Sequence, residues 1–142
     1  MMSVIYQPVN DQLFTALRGQ GAKFNYKRLR VQQQRYTDKT LIAFLGRLPV
    51  LGLLPAQYDY RNLGSTFLHF CYAASGKVDL VVSTEDKPQS NIEIPRLILE
   101  EAGGVMLNLE AGEMFEVAAR YVAGPWPYAS ALHKLVKAKQ LI

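Results

Sequence analysis

Small and apolar residues alternate along the first third of the chain with the period of β-strands. Ser3–Tyr6 (SVIY) reads as one strand, Pro8-Val9-Asn10-Asp11 carries turn chemistry, and Leu13–Leu17 (LFTAL) reads as a second, so the pair is a hairpin. Gly19-Gln20-Gly21 turns the chain into a third strand at Ala22–Phe24. Asn25-Tyr26-Lys27-Arg28 turns it again into Leu29-Arg30-Val31, and Gln32-Gln33-Gln34 reads as a loop. The expectation over residues 1–38 is an antiparallel meander.

From residue 40 the period changes. Thr40–Phe44 (TLIAF) is a β-branched and aromatic run, as in a buried strand. Gly46–Gln57 contains Gly46, Pro49, Gly52 and Pro55, which argue against a long helix, and Tyr58–Arg61 suits a short strand. Ser65 is placed to cap a helix carrying Phe67, Leu68, Phe70, Cys71 and Ala74 on more than one face, with Gly76 as its stop. Val78–Val82 is the next strand and Asp86–Gln89 a loop. Ile92, Ile94, Leu97, Ile98, Glu101 and Ala102 suit a helix closed by Gly103-Gly104, with Pro95 confined to its first turn. Val105–Leu109 and Tyr121–Ala123 read as strands separated by a turn at Glu110–Glu113, and Ser130–Lys139 as a closing helix. The fold class is therefore α/β (α+β): a meander over 1–38 followed by a layered α/β unit over 39–142, in one compact domain.

Composition narrows the picture. With 142 residues, 49% hydrophobic and 20% charged, the chain has an ordinary globular balance and room for one domain. Its longest apolar run, Leu48–Ala56, is interrupted and falls far short of the roughly 20 residues of a membrane span. The N-terminus shows no basic and apolar signal pattern. A single cysteine, Cys71, excludes an intrachain disulfide and a cysteine-rich zinc site, which favours a reducing, cytoplasmic location. Charge is uneven: residues 1–50 carry a net +6 and the remainder −2. No recognition-helix or aromatic RNA-binding pattern accompanies that basic half, so a nucleic-acid-binding module is the least favoured reading.

Two stretches resemble the inositol monophosphatase family of Mg²⁺-dependent, lithium-sensitive sugar-phosphate phosphatases. SVIYQPVNDQLFTALRGQGAKFNYKRLRV is similar to that family's GVVYxPxxxELFTAxxGxGAFxNGxxIxV segment. RNLGSTFLHFCYAASGKVDLVV followed by NIEIPRLILEEAGGVMLNLEAGE is similar to RxxGSAALxLxxVAxGxxDAxxE…WDxAAGxLIxxEAGGxxxDxxG. The ending RYVAGPWPYASALHKL also resembles the family's closing strand and helix. Nearly the whole chain is covered, with paired motifs in the right order. The resemblance implies the later part of that fold, truncated and degenerate.

The departures concern chemistry. The family's metal-binding Glu-Glu helix and its DPxDGT loop have no counterpart in this sequence, and residues 40–61 leave too little chain for the helix the family places there. By resemblance, the last metal-binding aspartate falls on Asn91, and the carboxylate that holds a substrate hydroxyl falls on Ser83. An asparagine carbonyl is a weak substitute where Mg²⁺ needs carboxylates. Glu85 and Asp86 read as a solvated loop, and Glu100 and Glu101 as a helix surface.

Other reactive side chains point to structure as well. His69 lies in an apolar helix pattern and His133 on the closing helix without a partner nearby in sequence. Ser65 and Ser75 lack a nucleophile-elbow context. Cys71 reads as buried and inert, and Gly19-Gln20-Gly21 is too short for a nucleotide loop. The Gly64-Ser65-Thr66 turn alone retains a role by resemblance: its backbone at a helix N-terminus faces substrate in the family, so it could hold a phosphate-containing small molecule. A simple N-cap by Ser65 is the favoured alternative.

No catalytic residue and no metal site are therefore assigned, and no cofactor is expected, although the family would use Mg²⁺. The leading expectation is a degenerate phosphatase acting by binding or assembly. The alternative is one subunit of a two-chain Mg²⁺-dependent phosphatase whose other half is a separate protein partner. Val4, Tyr6, Leu13, Phe14, Leu17, Phe24 and Leu29 are expected to leave an apolar face on the meander, which favours a homodimer.

Overall fold

The computed structural model describes residues 1–32, 38–46, 54–109 and 119–139. The chain opens with four antiparallel strands in sequential order: β1 (Met2–Gln7), β2 (Gln12–Leu17), β3 (Gly21–Phe24) and β4 (Lys27–Leu29). Five further strands form a mixed sheet: β5 (Thr40–Leu45), β6 (Tyr58–Arg61), β7 (Leu80–Thr84), β8 (Val105–Asn108) and β9 (Arg120–Gly124), in the order β6-β5-β7-β9-β8. β5 runs parallel to β6 and β7, whereas β9 is antiparallel to β7 and β8. Three helices complete the described elements: α1 (Thr66–Ala74), α2 (Glu93–Glu101) and α3 (Trp126–Ala138). No helix among them is long and apolar enough to cross a membrane.

The elements stack in layers. α1 and α2 lie between the meander and the mixed sheet, and one apolar cluster runs from Ile5, Phe14, Ala16 and Leu29 through Phe70, Leu97 and Ile98 to Ala43, Val81 and Tyr121. A second cluster joins Ile42, Phe44, Leu80, Val82 and Val122 to Ala129, Leu132 and Val136 of α3. Neighbours such as Val81 and Val82 thus enter different cores, because successive strand side chains point to opposite faces. That explains why the central strands read as continuous apolar runs. The meander and the α/β unit are further tied where the Val31 amide donates to the Ala102 carbonyl at 2.9 Å.

Several boundaries move. The fourth strand is Lys27–Leu29 rather than Leu29–Val31, because Asn25 and Tyr26 alone make the turn at φ of 47° and 70°. The seventh starts at Leu80, since Asp79 is engaged before it: its amide donates to the Leu41 carbonyl and its carboxylate accepts the Leu41 amide at 2.7 Å. The closing helix begins at Trp126, four residues early; Pro125 and Pro127 sit at its start, where a missing N–H costs little. Pro95 occupies the first turn of α2, as its chemistry demands. The readings for Gln33-Gln34, for most of Gly46–Gln57 and for Glu110–Glu113 lie outside the described residues.

The expected apolar face needs correcting. Phe14 and Leu29 are buried in the cluster shared with the two interlayer helices, while Val4, Tyr6 and Leu17 are exposed, and Leu13 and Phe24 are half-buried. Strand alternation divides that set between the two faces of the meander.

Glu101 also departs from its reading as helix surface. Its carboxylate accepts the amides of Gly19 and Gly21 at 3.1 and 2.9 Å, tying the turn between β2 and β3 to the end of α2. Both glycines hold positive φ (83° and 85°), the conformation that aims two amides at one oxygen. These bonds, the Gly21 amide first and then that of Gly19, hold the carboxyl below the usual glutamate range. A depressed folded-state value means stability that is full above the unfolded value of about 4.3 and is lost as pH falls through the folded one. Glu101→Gln is expected to be less stable than the parent at pH 7, with the gap closing toward pH 3 in urea melts. A gap that does not change with pH would show that charge has no part in the lock.

Candidate functional site

Ser83 and Asn91 bracket the loop that leaves the carboxyl end of β7. β7 is central, hydrogen-bonded to β5 and β9, so Ser83 faces Leu45 on one side and Tyr121 on the other. Its side chain is fully buried. The Oγ–H donates to the Ala119 carbonyl at 2.7 Å, and the oxygen accepts from the Glu85 amide at 3.3 Å and the Gln89 side-chain amide at 3.2 Å. The Tyr121 hydroxyl donates to the other end of Gln89 at 2.9 Å. Burial first of all raises the Tyr121 phenol above its ordinary value, so it stays a neutral donor. A closed ring of neutral hydrogen bonds thus pins the loop onto the sheet.

The rest of the loop is solvated. Asp86 is exposed and pairs with Arg120 at 3.2 Å. Asn91 is exposed in the left-handed region (φ 58°), and its carbonyl accepts the Ile94 amide at 3.1 Å as α2 begins. Asparagine tolerates that conformation better than most residues, which accounts for its place here. Glu100 pairs with Arg96 one turn earlier on α2 and approaches Arg18 at 4.0 Å.

The Gly64-Ser65-Thr66 turn belongs to another element, the start of α1. Ser65 is extended (φ −137°) and its hydroxyl accepts the Leu68 amide at 3.3 Å, so it is an N-cap. The Gly64 amide is taken by the Asn62 side chain at 2.8 Å. Helix geometry leaves the amides of Thr66 and Phe67 as the outward donors of this terminus. His69 buttresses the turn from inside: its Nε2 accepts the Leu63 amide at 2.9 Å, which places the ring proton on Nδ1. Burial lowers its pKa and holds it neutral. It is a packed histidine.

The remaining reactive groups are likewise structural. The Ser75 hydroxyl donates to the Tyr72 carbonyl at 3.3 Å and His133 bonds the Asn108 carbonyl at 2.9 Å. Cys71 is buried, and its thiol is pushed up to about 12 by desolvation. Among the described residues no three His, Cys, Asp or Glu side chains converge as a metal site. Mg²⁺ does not fit the groups at the two family positions: Ser83 offers a neutral oxygen already engaged on the sheet, and Asn91 a neutral side chain on an exposed turn. Gln89 and Tyr121 are the residues that sequence reasoning missed. Gln89 sat in a segment read as a loop, and nothing local links it to a tyrosine 32 positions away.

A meander packed through two helices onto a mixed sheet, itself backed by a third helix, defines a layered α/β protein of the sugar-phosphatase kind. The chain belongs to the inositol monophosphatase family, whose model matches residues 1–141. The Nus factor SuhB of Haemophilus influenzae is 33% identical over 135 residues, covering 87% of this chain and 50% of that protein. Inositol monophosphatase 2 of Solanum lycopersicum is also 33% identical, over 87% of this chain and 51% of its own length. The crystal structure of the extragenic suppressor protein SuhB from Bartonella henselae superposes with a TM-score of 0.82 at 34% identity, covering 96% of this chain and 58% of that one. The inositol monophosphatase of Anabaena, at 22% identity and a TM-score of 0.77, shares the fold. The chain spans about half the length of the curated relatives it matches.

Proposed function

We propose that this chain has lost metal-dependent phosphatase activity and acts by binding or assembly. One observation carries the reading: the Ser83 hydroxyl, at the family's substrate-carboxylate position, is buried and spent on the Ala119 carbonyl and the loop it anchors. Two-metal phosphoryl hydrolysis needs carboxylates that offset the repulsion between the ions and generate a bound hydroxide. Ser83 and Asn91 supply neither charge. What remains for an anion is the start of α1, where the Thr66 and Phe67 amides can meet a phosphate oxygen without any acidic group.

The test is turnover. Purified chain incubated with inositol monophosphates and sugar phosphates in Mg²⁺ should release no phosphate above the protein-free control. Asn91→Asp should not restore release, because one carboxylate does not assemble a two-ion site. Lithium-sensitive, Mg²⁺-dependent turnover by the isolated chain would sink the reading. A second reading is that a separate polypeptide supplies metal-binding carboxylates to this chain, which spans about half the length of its curated relatives. Turnover that appears only when such a polypeptide is co-expressed would select it.

A further inference from the structure

The turn that leads into α1 is held by side chains. Arg61 to Gly64 are exposed. The Gly64 amide donates to Asn62 within the turn, whereas the Leu63 amide donates to Nε2 of His69, one turn inside the helix. That second bond, 2.9 Å long, fastens the turn to the body of α1. His69 is fully buried, and its Nδ1 has no hydrogen-bond partner among the described residues.

An imidazole nitrogen accepts a hydrogen bond only while it carries no proton. A proton added at Nε2 sets an N–H against the Leu63 N–H. It also leaves a buried cation with two donors and no acceptor, which is costly unless the charge is paired. The groups packed around α1 are committed elsewhere. α1 lies on α2, β5, β7 and β9. β5 and β7 hold no ionisable side chain. On α2, Arg96 pairs with Glu100, Glu101 holds the Gly19 and Gly21 amides, and Glu93 is exposed. On β9, Arg120 pairs with Asp86 and the Tyr121 hydroxyl donates to Gln89. On α1 itself, the Tyr72 hydroxyl donates to Gln12, its ring faces Lys77, and Cys71 is a buried thiol. The turn is the side that can yield, because water can take up the Leu63 amide there at little cost.

We propose that His69 is a pH-sensitive latch: neutral, it holds the Leu63 turn closed on α1, and protonated, it releases that turn while the rest of the fold stays intact. Burial places the folded-state pKa of the ring below the unfolded value of about 6.5. The closed turn therefore has its full stability above that pH and loses it as pH falls between the two values. Within that interval the open population rises by up to about tenfold per pH unit. On the reading that α1 takes an anion, the same proton withdraws the Thr66 and Phe67 amides from it. The test below uses no ligand, so its outcome is separate from that reading.

Amide hydrogen exchange followed by NMR on the whole chain, from about pH 4.5 to 7.5 and corrected for intrinsic rates, tests the latch. Protection of the Leu63 amide should fall with pH in step with titration of the His69 ring. The Val82 amide on central β7 and the Gly21 amide held by Glu101 should keep their protection across the same range. His69→Gln supplies an acceptor oxygen that does not titrate, so Leu63 protection should become independent of pH. His133→Gln should behave as the parent. The parent decides by itself if His69→Gln does not fold. A His69 ring that stays neutral at about pH 4.5 would overturn the proposal. So would Leu63 protection that stays constant while the ring titrates, or a loss shared equally by Val82.

Discussion

Phe14→Ala is expected to lower stability by about 3–5 kcal/mol, against about 1 kcal/mol or less for Leu17→Ala three residues along the same strand. Phe14 is fully buried on the face of β2 that meets α2. It lies opposite both Ile5 and Phe24 in register, and its ring centroid is 4.8 Å from that of Phe24. Truncation removes a ring from the cluster that joins the meander to both interlayer helices and leaves a cavity that β-strands cannot close without losing register. Leu17 ends the strand in the opposite phase and touches water. Since small domains hold about 5–15 kcal/mol in all, the first change removes a large share of it. Urea denaturation with unchanged m-values is the measurement. Equal losses for the two variants would place the helix-facing side of the meander wrongly.

That contrast also shows where sequence pattern was informative and where it was not. Alternation located all four meander strands to within two residues, because a strand is a local pattern bounded by turn chemistry such as Asn25-Tyr26. The family motifs identified the layered fold to follow, and the apolar runs at 40–44 and 80–82 became central strands. What alternation does not reveal is which phase meets a helix about 80 residues away, so by pattern alone Phe14 and Val4 fall in one apolar set. Hydrogen bonds of long sequence separation were equally hidden. Glu101 reads as a helix surface until the turn at Gly19 and Gly21 is folded beneath it, and Gln89 reads as a loop residue until Tyr121 arrives on β9. For the candidate site, the family resemblance pointed to Ser83 and Asn91. Only the fold showed that one is built into the sheet and the other stands in solvent.

Replacing Ser83 with aspartate, the kind of residue the family resemblance would ask for, is expected to cost about 3–5 kcal/mol at pH 8. The present hydroxyl donates to the Ala119 carbonyl at 2.7 Å in a site without solvent. An ionised carboxylate has only acceptors, so Ser83→Asp sets a charge against that carbonyl and removes the anchor of the Glu85 amide and of Gln89. Burial would raise the folded-state pKa of the introduced group above its unfolded value of about 3.9. The sign follows: the folded state then holds its proton more tightly, so stability falls as pH rises, and the loss is smallest near pH 4. Asn91→Asp, on an exposed turn, should change stability by less than about 0.5 kcal/mol at any pH. Melting temperatures of both variants from pH 4 to 8 distinguish the cases. A Ser83→Asp protein as stable as its parent at pH 8 would mean that solvent or a cation reaches this end of β7. The position would then be open to the carboxylate that phosphatase chemistry needs.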